Sequence, residues 1–190
     1  MDKIVMGIGI NDEFRVSKNS KPSKAYQAWA QMIVKTTNPE ASGYVADGVI
    51  CKDWLTFSKF KAWFEENYVD GWVMDRGIIS PEDNMFSPEH CVFVPRYLSR
   101  FARKQKINNK CDLHGVTKIE REGVDAVFIS GIYVAGKQMH IGSFKTAIDA
   151  HKAYINRRME VAKNYKAICE SIRPGLFDCL IKRVKSMECY

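Results

Sequence analysis

The feature that most constrains the fold is the segment 115–162, where two turn signals and a helix start follow one another at short intervals. Glu-Gly at 122–123 and Ala-Gly at 135–136 separate stretches of alternating apolar residues, as in antiparallel hairpins. Thr146, followed three residues later by Asp149, forms a capping box at the start of a helix. The segment therefore predicts three antiparallel strands packed on one helix.

Alternation along these strands divides their side chains between two faces of the predicted sheet. We expect one face to pack against the helix through Val127, Ile129, Met139, Ile141, Ala150, Ala153 and Tyr154. The opposite face is then expected to carry Thr117, Ile119, Ala126, Phe128, Ser130, Gln138 and His140, with Lys118, Arg121 and Lys137 at strand ends or turns. A twisted three-stranded sheet is narrow enough to enter the major groove of DNA, so this opposite face is the candidate base-reading surface.

The same segment resembles the Apetala/ethylene-response-factor DNA-binding domain, which also occurs in phage endonucleases. The resemblance covers about 50 residues and rests on Gly115-Val116, Gly136-Lys137, Ile141-Gly142-Ser143-Phe144 and residues 146–154. Plant members of that family place Arg and Trp on the base-reading face, where this chain has Gln138 and His140. The resemblance implies double-stranded DNA as the ligand, and a sheet that binds protein or nothing is the alternative.

The charge of the chain is concentrated in its second half. Residues 1–98 contain 11 Lys and Arg against 13 Asp and Glu, whereas residues 99–190 contain 18 against 9. A basic excess of this size favours a polyanionic partner, and a solvated basic surface is the alternative. A predicted helix that begins near Pro95 has Leu98 and Phe101 on its apolar side. Its other side supplies the candidate phosphate contacts Arg100, Arg103, Lys104 and Lys106.

The amino-terminal half predicts two helices with aromatic seams. Ser23 is a suitable cap for the first helix, and Thr56 is a suitable cap for the second. The buried sides are expected to consist of Tyr26, Trp29, Ala30 and Ile33 in the first helix and of Phe57, Phe60 and Phe64 in the second. Two short strands at 72–74 and 91–94 then enclose a polar loop and lead into the basic helix.

This half resembles the HNH-type homing endonucleases of phages over about 75 residues. The resemblance rests on Trp29, Met32, Cys51-Lys52-Asp53-Trp54, Phe57, Phe60, Trp63, Met74-Asp75-Arg76, Asn84 and residues 87–95. It implies a ββα element that holds one Mg²⁺ or Mn²⁺ ion against a phosphate. Asp75 and His90 fall on the metal-ligand positions and Asn84 falls on the central asparagine, so the resemblance makes these residues candidate catalytic groups.

Arg76 occupies the position of the general base. An arginine stays protonated at any working pH and cannot take a proton from water, although its guanidinium can hold a phosphate. Related phage proteins often carry Lys followed by Asp there, and Gly77 lacks that carboxylate. Two functions therefore stay open: a weak metal-dependent endonuclease or nickase, and a catalytically inactive regulator, without a cofactor, that binds DNA or a host protein.

Six cysteines without a CxxC pair favour reduced thiols. A zinc site is the weaker alternative, because the spacings of the available ligands match no compact zinc knuckle. Its ligands would come from Cys51, His90, Cys91, Cys111 and His114. No apolar stretch approaches the roughly 18 residues of a membrane span, and acidic residues interrupt the amino terminus. We therefore expect a soluble protein without a membrane partner, in the cytoplasm, or in the host cytoplasm if a phage encodes it.

These patterns together predict an α+β protein with four successive regions. An HNH-like module spans 1–104, a linker spans 105–110, the Apetala-type domain spans 111–165 and a helical extension spans 166–190. The oligomeric state does not follow from the sequence.

Overall fold

The computed structural model describes residues 3–13, 21–104, 111–134 and 136–188. The protein is α+β, as predicted, and divides into two compact units, Met1–Pro95 and Arg96–Tyr190. The basic helix that follows Pro95 therefore belongs to the second unit, although the predicted first module extended to residue 104. The predicted linker at 105–110, which includes Lys106, lies outside the described residues.

The helices and strands have the following bounds. The first unit contains β1 (Lys3–Val5), β2 (Gly9–Asn11), α1 (Lys24–Thr37), β3 (Val49–Ile50), a 3₁₀ turn (Asp53–Leu55), α2 (Phe57–Asn67), β4 (Trp72–Asp75), β5 (Met85–Phe86) and β6 (Val92–Pro95). The second contains α3 (Arg96–Ala102), β7 (Val116–Arg121), β8 (Val124–Val134), β9 (Lys137–Phe144), α4 (Ala147–Lys163), α5 (Lys166–Ile172) and α6 (Leu176–Lys185). Within the described residues no helix is both long and apolar enough to cross a membrane.

The core of the first unit is aromatic and forms between α1 and α2. Ser23 caps α1, since its Oγ accepts the backbone N–H of Tyr26 at 3.1 Å. The predicted core positions are confirmed at Trp29, Ile33, Phe57, Phe60 and Phe64, all of which are buried. Thr56 occupies the predicted N-cap position of α2, although its side chain makes no capping bond there.

The two predicted strands of the first unit pair with each other. Strands β4 and β6 are antiparallel, with Trp72 opposite Pro95 and Asp75 opposite Val92. A second pair, β3 and β5, is parallel and places Ile50 opposite Phe86. Strand β5 lies in the loop between β4 and β6, so these pairings fix the loop that contains the candidate catalytic residues.

The second unit contains the predicted three-stranded antiparallel sheet, in the order β7-β8-β9, with α4 packed on it. Gly123 and Gly136 stand in the two hairpin turns with φ of 71° and 80°, a conformation that glycine adopts without strain. Ala135 lies outside the described residues. The predicted cap at Thr146 is confirmed: Oγ1 of Thr146 accepts the backbone N–H of Asp149 at 3.1 Å, and the hydroxyl donates to Oδ2 of Asp149 at 2.7 Å.

The predicted faces of β8 are wrong. Ser130 and Ile132 are 0% and 1% exposed under α4, whereas Val127 is 38% exposed. Residues opposite each other in an antiparallel pair lie on the same side of the sheet. Ala126, Phe128 and Ser130 therefore lie on the α4 side, and the outer side, which faces away from α4, carries Val127 and Ile129 with Thr117 and Ile119. Four consecutive apolar residues at 126–129 give no alternation from which the phase could be read.

A β-bulge in β9 sets which side chains of that strand point outward. Ser130 pairs with Gly142 and Gly131 pairs with His140, so Ile141 is the extra residue. Beyond the bulge, Gln138 lies opposite Tyr133 on the outer side, together with His140. Gln138 and His140 are exposed there, as predicted. Met139 and Ile141 were both predicted to face α4. Met139 does lie on the α4 side, whereas Ile141 forms the bulge.

Candidate nucleic-acid interface

In the first unit, Asp75 stabilises the turn that follows β4. Its carboxylate is buried, and Oδ1 accepts the backbone N–H of Ile78 at 3.1 Å. A carboxylate that closes a turn after a strand satisfies a backbone donor that would otherwise be buried without a partner. This contact gives the acidic residue at position 75 a structural role.

Arg76 and Asn84 are joined within the loop. Asn84 donates from Nδ2 to the carbonyl oxygen of Ala46 at 2.8 Å, and its Oδ1 accepts from Nη1 of Arg76 at 3.4 Å. The guanidinium of Arg76 also donates to the carbonyl oxygen of Asp83 and lies 5.4 Å from the ring centre of Phe86. Arg76 therefore holds the two sides of the loop together at the position expected for a general base.

His90 is held through both of its ring nitrogens. Nδ1 lies 2.7 Å from Oγ of Ser87, and Nε2 lies 3.1 Å from Oδ2 of Asp83. An imidazole that binds a metal must turn one nitrogen toward the cation. In this arrangement both ring nitrogens of His90 already have partners. The described residues also contain no cluster of three or more His, Cys, Asp or Glu arranged to hold a metal. Binding of Mg²⁺ or Mn²⁺ stays a prediction.

The cysteines of the first unit are in poor environments for thiolate formation. Burial raises the pKa of the Cys91 thiol to about 12, and burial also raises the pKa of Cys51. Both thiols are therefore protonated at neutral pH in this arrangement. None of the described cysteines forms a disulfide, which agrees with the expectation of reduced thiols.

In the second unit, α3 has the amphipathic form that its sequence predicts. Leu98 and Phe101 are buried, whereas the basic side chains of α3 and the residues just after it are exposed. These exposed groups are Arg96, Arg100, Arg103 and Lys104. Arg103 contacts Oγ of Ser99 at 3.5 Å. No carboxylate among the described residues pairs with Arg96 or Arg100, so their charges face solvent.

The outer side of the sheet carries the predicted base-reading residues. Gln138 and His140 are exposed, and the hydroxyl of Tyr133 donates to Oε1 of Gln138 at 3.2 Å. Arg121 and Lys137 stand exposed at strand ends, as predicted. Gln138 and His140 thus lie on the outer side near the tip of the β8–β9 hairpin, Lys137 stands beside them at the strand end opposite Val134, and Arg121 stands at the end of β7.

Lys118 differs from the other predicted contacts. It stands opposite Phe128 in the middle of β7, on the α4 side of the sheet, and is only half-buried. Its Nζ lies 2.5 Å from Oε1 of Glu120, and this contact raises the pKa of Lys118. The charge is thus paired already and does not lie on the outer side.

A cleft of about 640 Å³ joins α3, the end of the β8–β9 hairpin and α4. Three arginines and three tyrosines line it, namely Arg96, Arg100, Arg158, Tyr97, Tyr133 and Tyr165. Sequence reasoning missed Arg158 and all three tyrosines, because they come from α3, β8, α4 and the turn after α4, which no sequence pattern connects. The one sequence feature that pointed to this cleft is the position of Tyr97 on the basic side of α3.

Arg158 is the buried cation of this cleft. It is 2% exposed, and its Nη2 donates to the carbonyl oxygens of Phe101 and of Arg103, the latter at 3.1 Å. Its Nη1 donates to the hydroxyl of Tyr154. The guanidinium lies 4.8 Å from the ring centre of Phe101, and its Nε has no hydrogen-bond partner in the described structure. Carbonyl and aromatic groups thus hold Arg158 without a carboxylate.

The second unit has an excess of basic residues. Residues 96–190 contain 19 Lys and Arg against 9 Asp and Glu. Burial raises the pKa of the cleft residue Tyr165, and the neighbouring Tyr97 raises it further, so its hydroxyl stays protonated at neutral pH.

Comparison with known proteins found no match. No protein-family model matches the chain, and no match was found among the curated proteins or among the solved structures.

Proposed function

We propose that this chain is a cytoplasmic protein that binds double-stranded DNA through the outer side of the β7–β9 sheet. One observation carries the proposal: Gln138 and His140 are exposed side by side on the sheet surface that faces away from α4. Arg96 and Arg100 border the cleft at the end of the same hairpin. Exposed hydrogen-bonding groups with cations close by suit a groove that is flanked by phosphates.

The two kinds of side chain have different roles in this proposal. Gln138 and His140 face base edges in the major groove, where an amide pairs well with adenine and an imidazole nitrogen can donate to guanine. Arg121, Lys137 and the arginines of α3 neutralise phosphates on either side and release condensed counterions. Lys118 is not part of this surface, because it is paired with Glu120 on the α4 side.

We further infer that the first unit acts without cleaving DNA, as in the inactive alternative predicted from the sequence. Three observations support this inference over nuclease activity. Arg76 is hydrogen-bonded to Asn84, both ring nitrogens of His90 are engaged, and the Asp75 carboxylate closes a turn. In this unit each candidate catalytic side chain already has a structural partner.

The salt dependence of duplex binding by the full-length protein tests the DNA-binding proposal. We expect fluorescence anisotropy with a labelled duplex to give an affinity that falls steeply as salt rises, because each phosphate contact contributes about 0.9 to the logarithmic slope. Arg100→Ala should reduce that slope by about 1. Lys52→Ala removes an exposed charge from the first unit and is the matched control. Binding that is absent at low salt, or that salt does not change, would refute the proposal.

A further inference from the structure

Three guanidinium groups line one cleft of the second unit without counterions. No carboxylate within the described residues pairs with Arg96, Arg100 or Arg158. Arg158 is almost completely buried, and its Nε lacks a partner there. A buried cation without an anionic partner carries an unfavourable desolvation cost, which a bound anion would reduce. The charge distribution therefore points to an anionic ligand for the cleft.

The walls of the cleft are aromatic as well as basic. Tyr97 and Tyr133 are 51% and 56% exposed, so large parts of both rings are open to solvent beside the cleft. The ring centre of Tyr165 lies 5.8 Å from that of Tyr97 and 4.9 Å from that of Phe101, so one wall is an aromatic cluster. Exposed tyrosines can stack on a planar ring, and nearby arginines strengthen such binding.

The size of the cleft fits a small ligand with two chemically different parts. Its volume of about 640 Å³ lies within the range of sites that enclose small molecules or single residues of a polymer. Inorganic phosphate would satisfy the arginines but leave the rings exposed. A ligand that joins a phosphate to a flat heterocycle would contact both groups.

We propose that this cleft binds a nucleotide whose base is unpaired. Arg96 and Arg100 hold the phosphate, and Tyr97 and Tyr165 stack against the base, while Arg158 supplies a fixed positive charge at the wall of the cleft. The bases of an intact duplex are stacked on each other and cannot offer a face to a tyrosine. The cleft therefore takes a different ligand from the duplex surface, although the two share Arg96 and Arg100 as phosphate contacts. The nucleotide comes either from a single strand of DNA or from the pool of free nucleoside phosphates.

Two substitutions at Tyr97 separate stacking from charge. The full-length protein is titrated with labelled oligo(dT), with ATP, with inorganic phosphate and with a duplex. We expect Tyr97→Leu, which lacks an aromatic ring, to weaken oligo(dT) binding about tenfold, in line with the loss of one stacked base. Tyr97→Phe keeps the ring and should stay within about twofold of the wild type, and duplex affinity should change less than about twofold in both variants.

Substitutions of arginine test the phosphate contact. Arg100→Ala should weaken oligo(dT) binding, whereas Arg157→Ala should not. Arg157 is a matched control, because it belongs to the same unit and its Nη1 lies 2.7 Å from Oε2 of Glu160. Equal losses for these two variants would show that only the net charge of the unit matters, and the proposed site would be wrong.

The ligands distinguish the two sources of the nucleotide. If ATP displaces oligo(dT) and Tyr97→Leu weakens the binding of both ligands, the result supports a free nucleotide as the ligand. If oligo(dT) binds and ATP does not displace it, the result supports a nucleotide within a strand. The site is overturned if inorganic phosphate displaces oligo(dT) as efficiently as ATP does and Tyr97→Leu leaves the binding affinity unchanged.

If the protein binds oligo(dT) through Tyr97 but binds no duplex, only the duplex proposal fails. If it binds duplex but Tyr97→Leu leaves oligo(dT) binding unchanged, only the nucleotide site fails.

Discussion

Gly115 and Tyr154 lie in direct contact beneath the sheet, with no space for a methyl group between them. A Cβ placed on Gly115 would stand 2.1 Å from Cδ2 of Tyr154, and Gly115 has a φ of 72°. Tyr154 is completely buried, so its ring cannot move away without disturbing α4. The approach of β7 to α4 therefore depends on the missing side chain at position 115.

We predict that Gly115→Ala lowers the free energy of unfolding by about 2–4 kcal/mol, as backbone strain and overpacking add. Gly123→Ala is the matched control, because Gly123 has a φ of 71° but nothing within 4 Å of its Cβ position. That control should cost only about 1–2 kcal/mol of strain. Urea denaturation of both variants measures the difference, and equal losses would show that the ring moves aside at little cost.

The side of the sheet on which β8 residues lie is tested by a pair of acidic substitutions. Ser130→Asp should lower the free energy of unfolding by about 3–5 kcal/mol, because it puts a charge on the buried α4 side. Val127→Asp should cost less than about 1 kcal/mol, since Val127 is exposed on the outer side. Thermal unfolding followed by circular dichroism provides the comparison. A larger loss of stability for Val127→Asp than for Ser130→Asp would instead support the sheet faces that were predicted from the sequence.

Base reading is expected to depend on Gln138 and His140. Replacement of either residue by alanine should change the preferred sequence, by about 1–3 kcal/mol at the affected base pair. Lys137→Ala should instead weaken all sequences about equally, since an exposed cation at the strand end contacts phosphates. Selection of binding sites from a random duplex library measures both effects. Uniform losses for all three variants would contradict the assigned surface.

The pairing of Lys118 with Glu120 leads to a contrast with Arg121. Arg121→Ala should reduce the salt slope of duplex binding by about 1, whereas Lys118→Ala should leave it nearly unchanged. The reason is that Lys118 already has a carboxylate at 2.5 Å on the α4 side, while Arg121 is exposed. A loss of slope for Lys118→Ala as large as that for Arg121→Ala would show that this ion pair opens on DNA.

Nuclease activity is tested with supercoiled plasmid in the presence of Mg²⁺ or Mn²⁺. We expect no nicking or only weak nicking by the wild type, because Arg76 cannot accept a proton from water. Arg76→His should increase nicking if a metal binds, and a further Asp75→Ala should abolish that gain. Efficient nicking by the wild type that survives Asp75→Ala would refute both the predicted site and its inactivity.

Much of the fold follows from local patterns in the sequence. Ser23 and Thr146 provide caps that depend only on residues three positions away, and the buried sides of α1 and α2 repeat at helical spacing. Such contacts lie within one turn, so the sequence contains all the information that they need.

Other features depend on contacts between distant residues and could not be predicted. The phase of β8 is decided by Ser130 and Ile132 under α4, whereas its apolar run at 126–129 fits either phase. The cleft brings together Tyr97, Tyr133 and Tyr165, which no periodicity relates to one another. Among the predicted catalytic residues, the family resemblance implied a shared site. The structure instead gives Asp75 and His90 partners within the loop, and Asn84 also donates to the carbonyl of Ala46 outside it.

The extra residue at Ile141 divides β9 into two segments of opposite phase. In the segment after Ile141, Gly142 and Phe144 face α4. In the segment before it, Met139 faces α4, while Gln138 and His140 face outward. If Ile141 were paired like its neighbours and the strand had no bulge, Gln138 and His140 would face the helix. Deletion of Ile141 would make Gly142 and His140 neighbours on opposite sides of a regular strand, so the hairpin tip would keep its present contact surface. The bulge thus lets β9 contain one residue more than its partner strand without changing which side chains the tip presents.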